Sequence, residues 1–365
     1  MALLVIVVAV ALLFDFTNGF HDTANVVASV ISTRAISPRR AVALASGLNF
    51  AGALLSLKVA ATIATGILAT GQMTETVIFA GLTGAIGWNL LTWAAGLPSS
   101  SSHALIGGLI GALLAAVGGG GIHWLGVLDK VVIPALIAPL AAFAIAAAAI
   151  GLVYRAVGGR RPGGVNRTFR GGELLSGSAL ALAHGTNDAQ KTMGVIGVAL
   201  LAHDGGHHRF GVPLWVVLAS AATMGLGTYA GGWRIIRTVG SRIIRMDPAQ
   251  GFCAQVAGAV TILLSSALGY PLSSTHVISG AIAGAGAGKR TSAVRWGVAS
   301  TIVLGWVLTV PAAGCLAALL YGVTVLCGSG ILGPLLVLLL AVSGGAAALG
   351  ATRRRGRLRP AAAPV

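Results

Sequence analysis

The chain has 365 residues, of which 56% are hydrophobic and only 9% are charged. This composition excludes an ordinary soluble globular protein and is typical of membrane proteins. The formal net charge of +16 would suggest a nucleic-acid partner in a soluble chain. Here the basic residues lie in short loops between apolar runs, so the charge indicates membrane topology instead.

Apolar runs predict the helical elements of the chain. About 20 apolar residues cross a ~30 Å hydrocarbon layer as an α-helix, and helices satisfy the backbone polar groups inside a bilayer. The predicted membrane segments are 1–33, 40–67, 77–96, 103–117, 130–154, 173–201, 211–232, 250–269, 276–288, 292–320 and 328–350. We therefore predict an all-α polytopic membrane protein with about 10–12 membrane segments.

The distribution of Lys and Arg predicts how these segments are oriented. Five stretches are rich in basic residues: 34–40, 155–170, 234–245, 289–295 and 353–359. By the positive-inside rule these stretches should be cytoplasmic. Three loops carry almost no Lys or Arg and should face outward: 71–75, 118–129 and 203–209. We expect a multi-pass protein of the cell membrane, with its N-terminus outside and its C-terminus cytoplasmic.

Two polar motifs occur twice, in the same order. The sequence GFHD at 19–22 is followed by GLPSSSSH at 96–103. In the second half, GTND at 185–188 is followed by GYPLSSTH at 269–276, and the two longer motifs align without a gap. This order and spacing predict an internal repeat.

Equivalent loops of the two halves differ in charge, which predicts that the halves are inverted. The basic loop 34–40 corresponds to the nearly neutral loop 203–209. Two inverted-topology repeats with broken helices and re-entrant helical hairpins are a recurrent plan of secondary transporters, whose sites lie near the midplane. The predicted divisions are a first inverted repeat at 1–154, a basic cytoplasmic linker at 155–172, a second inverted repeat at 173–320, an additional span at 321–350 and a basic cytoplasmic tail at 351–365.

Asp22 and Asp188 lie in mid-span, where an ionised carboxylate is costly unless it faces a polar cavity or a cation. With Asn25 and Asn187 they supply oxygen atoms suited to sodium or magnesium. We therefore predict a cation site at these four residues, in which the two aspartates could also hold a metal ion. A purely structural role for a buried aspartate is the alternative.

Five more titratable side chains are candidates for proton coupling: Asp15, His21, His103, His184 and His276. Asp15 precedes Asp22 by two helical turns on the same face, so it could carry a proton or bind a second cation. A residue at a helix end that reaches towards the interface is the alternative. The histidines could titrate during transport, but structural hydrogen bonding would explain each of them equally well.

The Pro-x-Ser-Ser-Ser/Thr-His motifs predict the turn of a helical hairpin, with hydroxyl groups at the start of a glycine-rich helix. The free N–H groups and positive dipole end of such a helix attract anions. The predicted phosphate ligands are Ser100, Ser101, Ser102, Ser273, Ser274, Thr275 and Lys191. Ordinary helix capping by the hydroxyls, and a salt bridge between Lys191 and Asp188, are the alternatives.

These motifs resemble the inorganic phosphate transporter (PiT) family, whose repeated signature is approximately Gly-x-Asn-Asp-x-x-Asn. The matching residues are 19–25 and 185–191. His21 in place of Asn, and Gln190-Lys191 at the end of the second copy, resemble the bacterial low-affinity phosphate transporter branch. The resemblance implies symport of phosphate with protons, often as a divalent metal–phosphate complex, or with sodium in other members. His21 adds a titratable group and favours protons.

Three alternatives to a phosphate symporter stay open. The nearest is a transporter of another oxyanion such as sulfate, and a structural or receptor-like subunit is another. An intramembrane hydrolase is remote, because a catalytic site rarely needs two symmetric copies. We expect no enzyme and no cofactor besides a coupling cation, namely H⁺, Na⁺ or a divalent metal complexed with phosphate. Expected partners are inorganic phosphate, that cation and the lipid bilayer, without nucleic acid; homo-oligomerisation is left open.

Overall fold

The computed structural model describes residues 1–67, 69–205, 210–328 and 330–339, and the regular structure over these ranges is helical. The helices are α1 Ala2–Ser32, α2 Pro38–Ala53, α3 Lys58–Gly66, α4 Glu75–Ala95, α5 Ser101–Val117, α6 Trp124–Val127, α7 Ile133–Val157, α8 Pro162–His203, α9 Leu214–Ala230, α10 Trp233–Arg237, α11 Pro248–Ala267, α12 Ser274–Ala287 and α13 Trp296–Leu326. The predicted all-α class is confirmed.

Within the described ranges, five helical stretches are long and apolar enough to cross a membrane: α1, α4, Trp124–Val157, α11 and α13. Two bent helix pairs, α2 with α3 and α9 with Trp233–Gly240, raise the number to as many as seven. Together with α5, α8 and α12, these helices coincide with all the predicted segments from 1–33 to 292–320. The last predicted segment, 328–350, is described only at 328 and 330–339, where 332–339 is helical. The predicted tail 351–365 lies outside the described residues.

The predicted linker 155–172 is largely helical. Helix α7 continues to Val157, and α8 already begins at Pro162. Proline is favoured in the first turn of a helix because its missing N–H would have no partner there in any case. The connection between these helices is therefore much shorter than the basic stretch suggests.

The two halves are built by the same set of helix contacts. The contact between α1 and α9 corresponds to the contact between α8 and α2. The contact between α4 and α5 likewise corresponds to the contact between α11 and α12. The last helix of each half crosses over to the other half, since α7 packs on α12 while α13 packs on α5. The sequence repeat is therefore also a repeat of packing, and the halves interlock.

Glycines allow the crossing helices to approach at their backbones. A Cβ atom on Gly19 of α1 would lie 2.5 Å from the Met224 carbonyl oxygen of α9. In the second half, a Cβ atom on Gly185 of α8 would overlap the Asn49 carbonyl group of α2. The glycine that opens each repeated motif is therefore required for close packing at these two equivalent crossings.

Both bent pairs and both hairpins place helix ends inside the bundle. The break after α9 has Gly231 at φ +70°, which glycine adopts without strain. The break between α2 and α3 bends the chain by 65°, and the Gln190 side-chain oxygen of α8 accepts from Val59 N at 2.8 Å and Ala60 N at 3.3 Å. This amide satisfies N–H groups that the broken helix leaves without an internal partner.

The predicted hairpin turns are confirmed. The chain leaves α4 through Gly96 (φ +67°) and α11 through Gly269 (φ +80°), in the left-handed region that favours glycine. Ser100 caps α5 and Ser273 caps α12 by accepting hydrogen bonds from the backbone N–H groups three residues later, at 3.1 and 3.3 Å. Two helix N-termini are thereby held in the interior.

The interior has a polar layer between two apolar clusters. One cluster includes 4–14 of α1 and 193–199 of α8, and the other includes 24–30 of α1 and 180–183 of α8. The repeated Gly-x-x-Asp motifs lie between these clusters, halfway along both helices. The fold therefore places the predicted site near the middle of the bundle, as expected for a transporter of this plan.

Candidate functional site

The two aspartates of the repeated motifs are buried and lie close together. Asp22 on α1 is 1% exposed and Asp188 on α8 is 0% exposed. Oxygen atoms of both carboxylates belong to one group of potential ligand atoms that all lie within 4.8 Å of one another. The predicted meeting of the two motifs is therefore present in the structure.

Asp22 is surrounded by hydroxyl groups from both hairpins. Ser101 Oγ donates to Asp22 Oδ2 at 2.7 Å, and from the other hairpin Ser274 Oγ lies 3.3 Å from the same oxygen. Thr275 Oγ1 lies 3.5 Å from Oδ1, and His21 Nδ1 lies 2.8 Å from it. Hydroxyl groups of both hairpins and the imidazole of His21 thus surround this one carboxylate.

Asp188 has a positive charge next to it. Its Oδ1 accepts a hydrogen bond from Lys191 Nζ, which is also hydrogen-bonded to Ser102 Oγ and, at 2.6 Å, to the Leu272 carbonyl oxygen. His184 Nε2 lies 2.9 Å from Asp188 Oδ2, but outside the alignment of an ordinary hydrogen bond. The predicted alternative for Lys191, a salt bridge with Asp188, is present.

One hydroxyl connects the two carboxylates. Ser274 Oγ lies 3.0 Å from Asp188 Oδ2 and 3.3 Å from Asp22 Oδ2, and it accepts from Asn25 Nδ2 at 3.3 Å. A hydroxyl has one proton to donate, so it can satisfy only one of the two carboxylates at a time. The pair therefore retains acceptor capacity for a cation.

A cation could be held between the two halves. Asp22, His184 and Asp188 each offer one ligand atom, and these atoms are mutually within 4.8 Å. Carboxylate oxygens suit sodium and magnesium, and an imidazole nitrogen extends the set to transition metals. The sequence predicts His184 only as a proton-coupling residue, and its position makes it a candidate ligand as well.

Several predicted site residues lie apart from the carboxylates. Asn187 Nδ2 donates to Ser266 Oγ at 2.8 Å and to the Tyr270 carbonyl oxygen at 3.1 Å, so it holds the second hairpin. Ser100 and Ser273 serve as helix caps, which is the alternative for these hydroxyls. Their cation-binding and phosphate-binding roles stay predictions.

The two hairpin histidines pair with each other. The His103 and His276 rings lie 4.6 Å apart in an edge-to-face arrangement, and His276 stacks on Trp306 at 4.0 Å. Neither His276 nitrogen has a hydrogen-bond partner among the described residues. This pair bridges the hairpins next to the site, and its proton-coupling role stays a prediction.

Asp15 is fully buried on α1, seven residues before Asp22. Asn18 and Thr192 lie beside its carboxyl group. Neither carboxyl oxygen forms a hydrogen bond of ordinary geometry with a described residue. An exposed helix-end position, which is the alternative for Asp15, is wrong because the residue is 0% exposed.

Sequence reasoning does not assign roles to some residues that support the site. Asn18 Oδ1 lies 2.6 Å from Ser101 Oγ, as an alternative acceptor to Asp22, and Asn49 Oδ1 lies 3.2 Å from His184 Nδ1. Each is a polar residue inside an apolar run, and such residues in membrane helices usually have a partner in the bundle. That signal could have marked both of them.

Comparison with known proteins identifies the family. A sequence model described as the phosphate transporter family matches residues 18–163 and 158–317. The chain belongs to this family. It is 51% identical over 321 residues to a probable low-affinity inorganic phosphate transporter of Mycobacterium tuberculosis, covering 88% of this chain and 77% of the relative. The family resemblance read from the motifs is thereby confirmed.

Relatives from other bacteria and a solved structure are also similar. The chain is 49% identical over 320 residues to a probable low-affinity inorganic phosphate transporter of Rhizobium meliloti and 40% identical over 321 residues to one of Bacillus subtilis. Each match covers 87% of this chain and 96% of the relative. A solved sodium-dependent phosphate transporter has a TM-score of 0.78 at 25% identity, over 89% of this chain and 100% of that one.

One cluster has the elements of a hydrolase triad but not its chemistry. Ser99 Oγ lies 3.4 Å from His21 Nε2, and His21 Nδ1 lies 2.8 Å from Asp22. However, the Ser99 hydroxyl donates to Thr92 Oγ1 at 2.8 Å and therefore cannot donate to the imidazole. A nucleophilic serine needs that second hydrogen bond. Because the family consists of transporters, the protein is not an enzyme.

Proposed function

We propose that this protein moves inorganic phosphate across the cell membrane by symport with a cation. The family and the similar proteins named above support phosphate as the substrate. One structural observation carries the proposal: the two buried carboxylates, one from each half, meet the hydroxyl groups at the N-termini of both hairpin helices. Acceptors for a cation and donors for an anion thus lie together near the midplane.

The donors for phosphate come from both hairpins. Helices α5 and α12 begin at Ser101 and Ser274, and the positive end of each helix dipole is directed at the polar layer. The Ser101, Ser102, Ser274 and Thr275 hydroxyls are hydrogen-bonded to the carboxylates, to Lys191 or to Asn25. A cation that takes over the carboxylate oxygens releases the Ser101 and Ser274 hydroxyls to donate to phosphate instead.

The same carboxylates can distinguish phosphate from sulfate. At neutral pH phosphate retains at least one O–H group, which can donate to Asp22 or Asp188, whereas sulfate has none. A buried acceptor that faces an anion without a donor is strongly unfavourable, and such mismatches discriminate between ligands. Phosphate is therefore favoured over the nearest alternative substrate.

The coupling cation is H⁺, Na⁺ or a divalent metal that enters with phosphate. Asp15 is our candidate for a proton carrier, because an ionised carboxylate without a partner is costly in the interior and a neutral one is tolerated. Asp22, Asp188 and His184 are the candidate ligands for a metal cation. Rocking of the interlocked halves would then expose the layer alternately to the two sides. The loop charges support an outside N-terminus and a cytoplasmic C-terminus.

The experiment is uptake of radiolabelled phosphate by proteoliposomes that contain the purified protein. An inward proton gradient, an inward sodium gradient and no gradient are compared, each with and without Mg²⁺. We expect one gradient to drive accumulation, and excess unlabelled phosphate, but not sulfate, to abolish it. Accumulation of labelled sulfate with no accumulation of phosphate would overturn the substrate assignment.

A further inference from the structure

Among the differences between the two halves of the polar layer, one replaces an amide by an ammonium group. Asp22 corresponds to Asp188 and Asn25 corresponds to Lys191, because both pairs differ by 166 residues (188 − 22 and 191 − 25). Between the hairpins the offset is 173, so Ser102 corresponds to Thr275 (275 − 102). A neutral amide in the first half is thus replaced by an ammonium group in the second half, three residues after the aspartate.

The Lys191 ammonium group has the surroundings of a bound cation. It is 1% exposed, and its contacts are the Asp188 carboxylate, the Ser102 hydroxyl and the Leu272 carbonyl oxygen. A carboxylate, a hydroxyl and a main-chain carbonyl are also the ligands that hard metal cations take from proteins. Its three N–H groups therefore have three oxygen acceptors, as an ammonium ion requires.

The equivalent position in the first half has similar oxygens but no lysine. Asn25 Nδ2 donates to Thr275 Oγ1 at 2.9 Å, which is the symmetry equivalent of the Lys191 contact with Ser102. The Asp22 carboxylate and the Ser99 carbonyl group correspond to Asp188 and Leu272 (188 − 22 = 166; 272 − 99 = 173). The titratable side chain that contacts the Asp22 carboxylate is His21, whose Nδ1 lies 2.8 Å from Asp22 Oδ1.

We infer that the Lys191 ammonium permanently occupies one of two symmetry-related cation positions, and that only the position at Asp22 exchanges its cation during transport. The carboxylates of Asp22 and Asp188 and the ammonium group of Lys191 together have a formal charge of −1 (−1 − 1 + 1). One monovalent cation therefore neutralises the layer before phosphate enters. The inference rests on the proposed function, and it names Lys191 as the residue that sets how many cations this pair of sites takes.

The test exchanges the two residues between the halves. Lys191→Asn gives the second half the amide of the first, and Asn25→Lys gives the first half the ammonium of the second. Lys58→Asn is the matched control, because Lys58 is a lysine outside the layer whose amine donates to the Ala267 carbonyl oxygen. The readout is the number of radiolabelled ²²Na⁺ ions bound per molecule of purified protein at saturating sodium.

We expect K191N to bind one more sodium ion than the wild type, whether the wild type binds none or one. K58N should match the wild type, and N25K should bind no sodium and should bind phosphate without any dependence on sodium. Equal sodium numbers in K191N and the wild type would overturn the inference, as would an N25K protein that retains the cation dependence of phosphate binding. A wild type that binds no phosphate would refute the proposed function, and the sodium count would still test the role of Lys191.

A second variant covers the case in which K191N does not fold. Lys191→Ala removes the ammonium and leaves space that a small free cation can enter. Purified K191A should bind phosphate weakly and should regain at least tenfold in affinity when ethylammonium or sodium is added. If K191A is folded and neither cation improves phosphate binding, the resident-cation role is wrong.

Discussion

Replacing Gly19 by alanine should loosen the crossing of α1 and α9 and weaken transport. The new Cβ atom would lie 2.5 Å from the Met224 carbonyl oxygen and 3.0 Å from Thr228 N, where ordinary contacts begin at 3.4 Å. Relief of the first overlap needs a shift of 0.9 Å (3.4 − 2.5). If α1 moved by that amount away from Ser101, the hydrogen bond from Ser101 Oγ to Asp22 Oδ2 would lengthen from 2.7 to 3.6 Å, which is beyond hydrogen-bond length.

The expected loss in the free energy of unfolding of G19A is the cost of overpacking. Extra atoms in a packed interior cost about 1–3 kcal/mol, and alanine regains up to about 1 kcal/mol in helix propensity over glycine. Gly47→Ala on α2 is the matched control, because no atom of the described residues, apart from the adjoining backbone of α2 itself, lies within 4 Å of the position that its Cβ would take. Denaturant unfolding in detergent should place G19A about 1–3 kcal/mol below G47A, with phosphate counterflow slowed in G19A alone. Equal stability and equal counterflow in both variants would refute the reasoning.

Three further predictions concern charged and hydroxyl side chains. Asp15→Asn should abolish proton-driven accumulation of phosphate while counterflow without a gradient continues, because the neutral amide keeps the packing but carries no proton; equal loss of both activities would contradict this. Ser101→Ala should weaken phosphate binding by about 5- to 150-fold, because a lost donor to a buried acceptor costs about 1–3 kcal/mol; isothermal titration measures it, and unchanged affinity would argue against a site at this hairpin. Glu75→Gln breaks the 2.6 Å pair with His203, which is partly exposed, so the free energy of unfolding should change by less than about 1 kcal/mol.

Local sequence chemistry is sufficient to predict the spans and the hairpins. The hairpin turns need only glycine, proline and a hydroxyl cap within a few residues, as at Gly96, Pro98 and Ser100. The motif aspartates can be placed because a carboxylate is rare in an apolar run and here occurs twice at equivalent positions. These features depend on short stretches of chain.

Other features depend on contacts between distant residues. The break between α2 and α3 has neither glycine nor proline, and the Gln190 amide from α8 stabilises it. Asn187 shares the motif position of His21, yet it binds the Tyr270 carbonyl oxygen in a turn far along the chain. The exchange of α7 and α13 between the halves likewise follows from tertiary packing. The repeated motif shows that the two sites are equivalent but not which partner each side chain takes.

Counterflow of radiolabelled phosphate through proteoliposomes loaded with unlabelled phosphate tests the carboxylate pair most directly, because it needs the site but no driving gradient. The wild type is compared with Asp22→Asn, Asp188→Asn and the control Asp129→Asn, whose side chain is 57% exposed and pairs with Lys130 outside the site. We predict that the wild type and D129N exchange phosphate, whereas D22N and D188N each lose at least tenfold in rate. Undiminished exchange in D22N and D188N would contradict the central claim that the paired aspartates form the transport site.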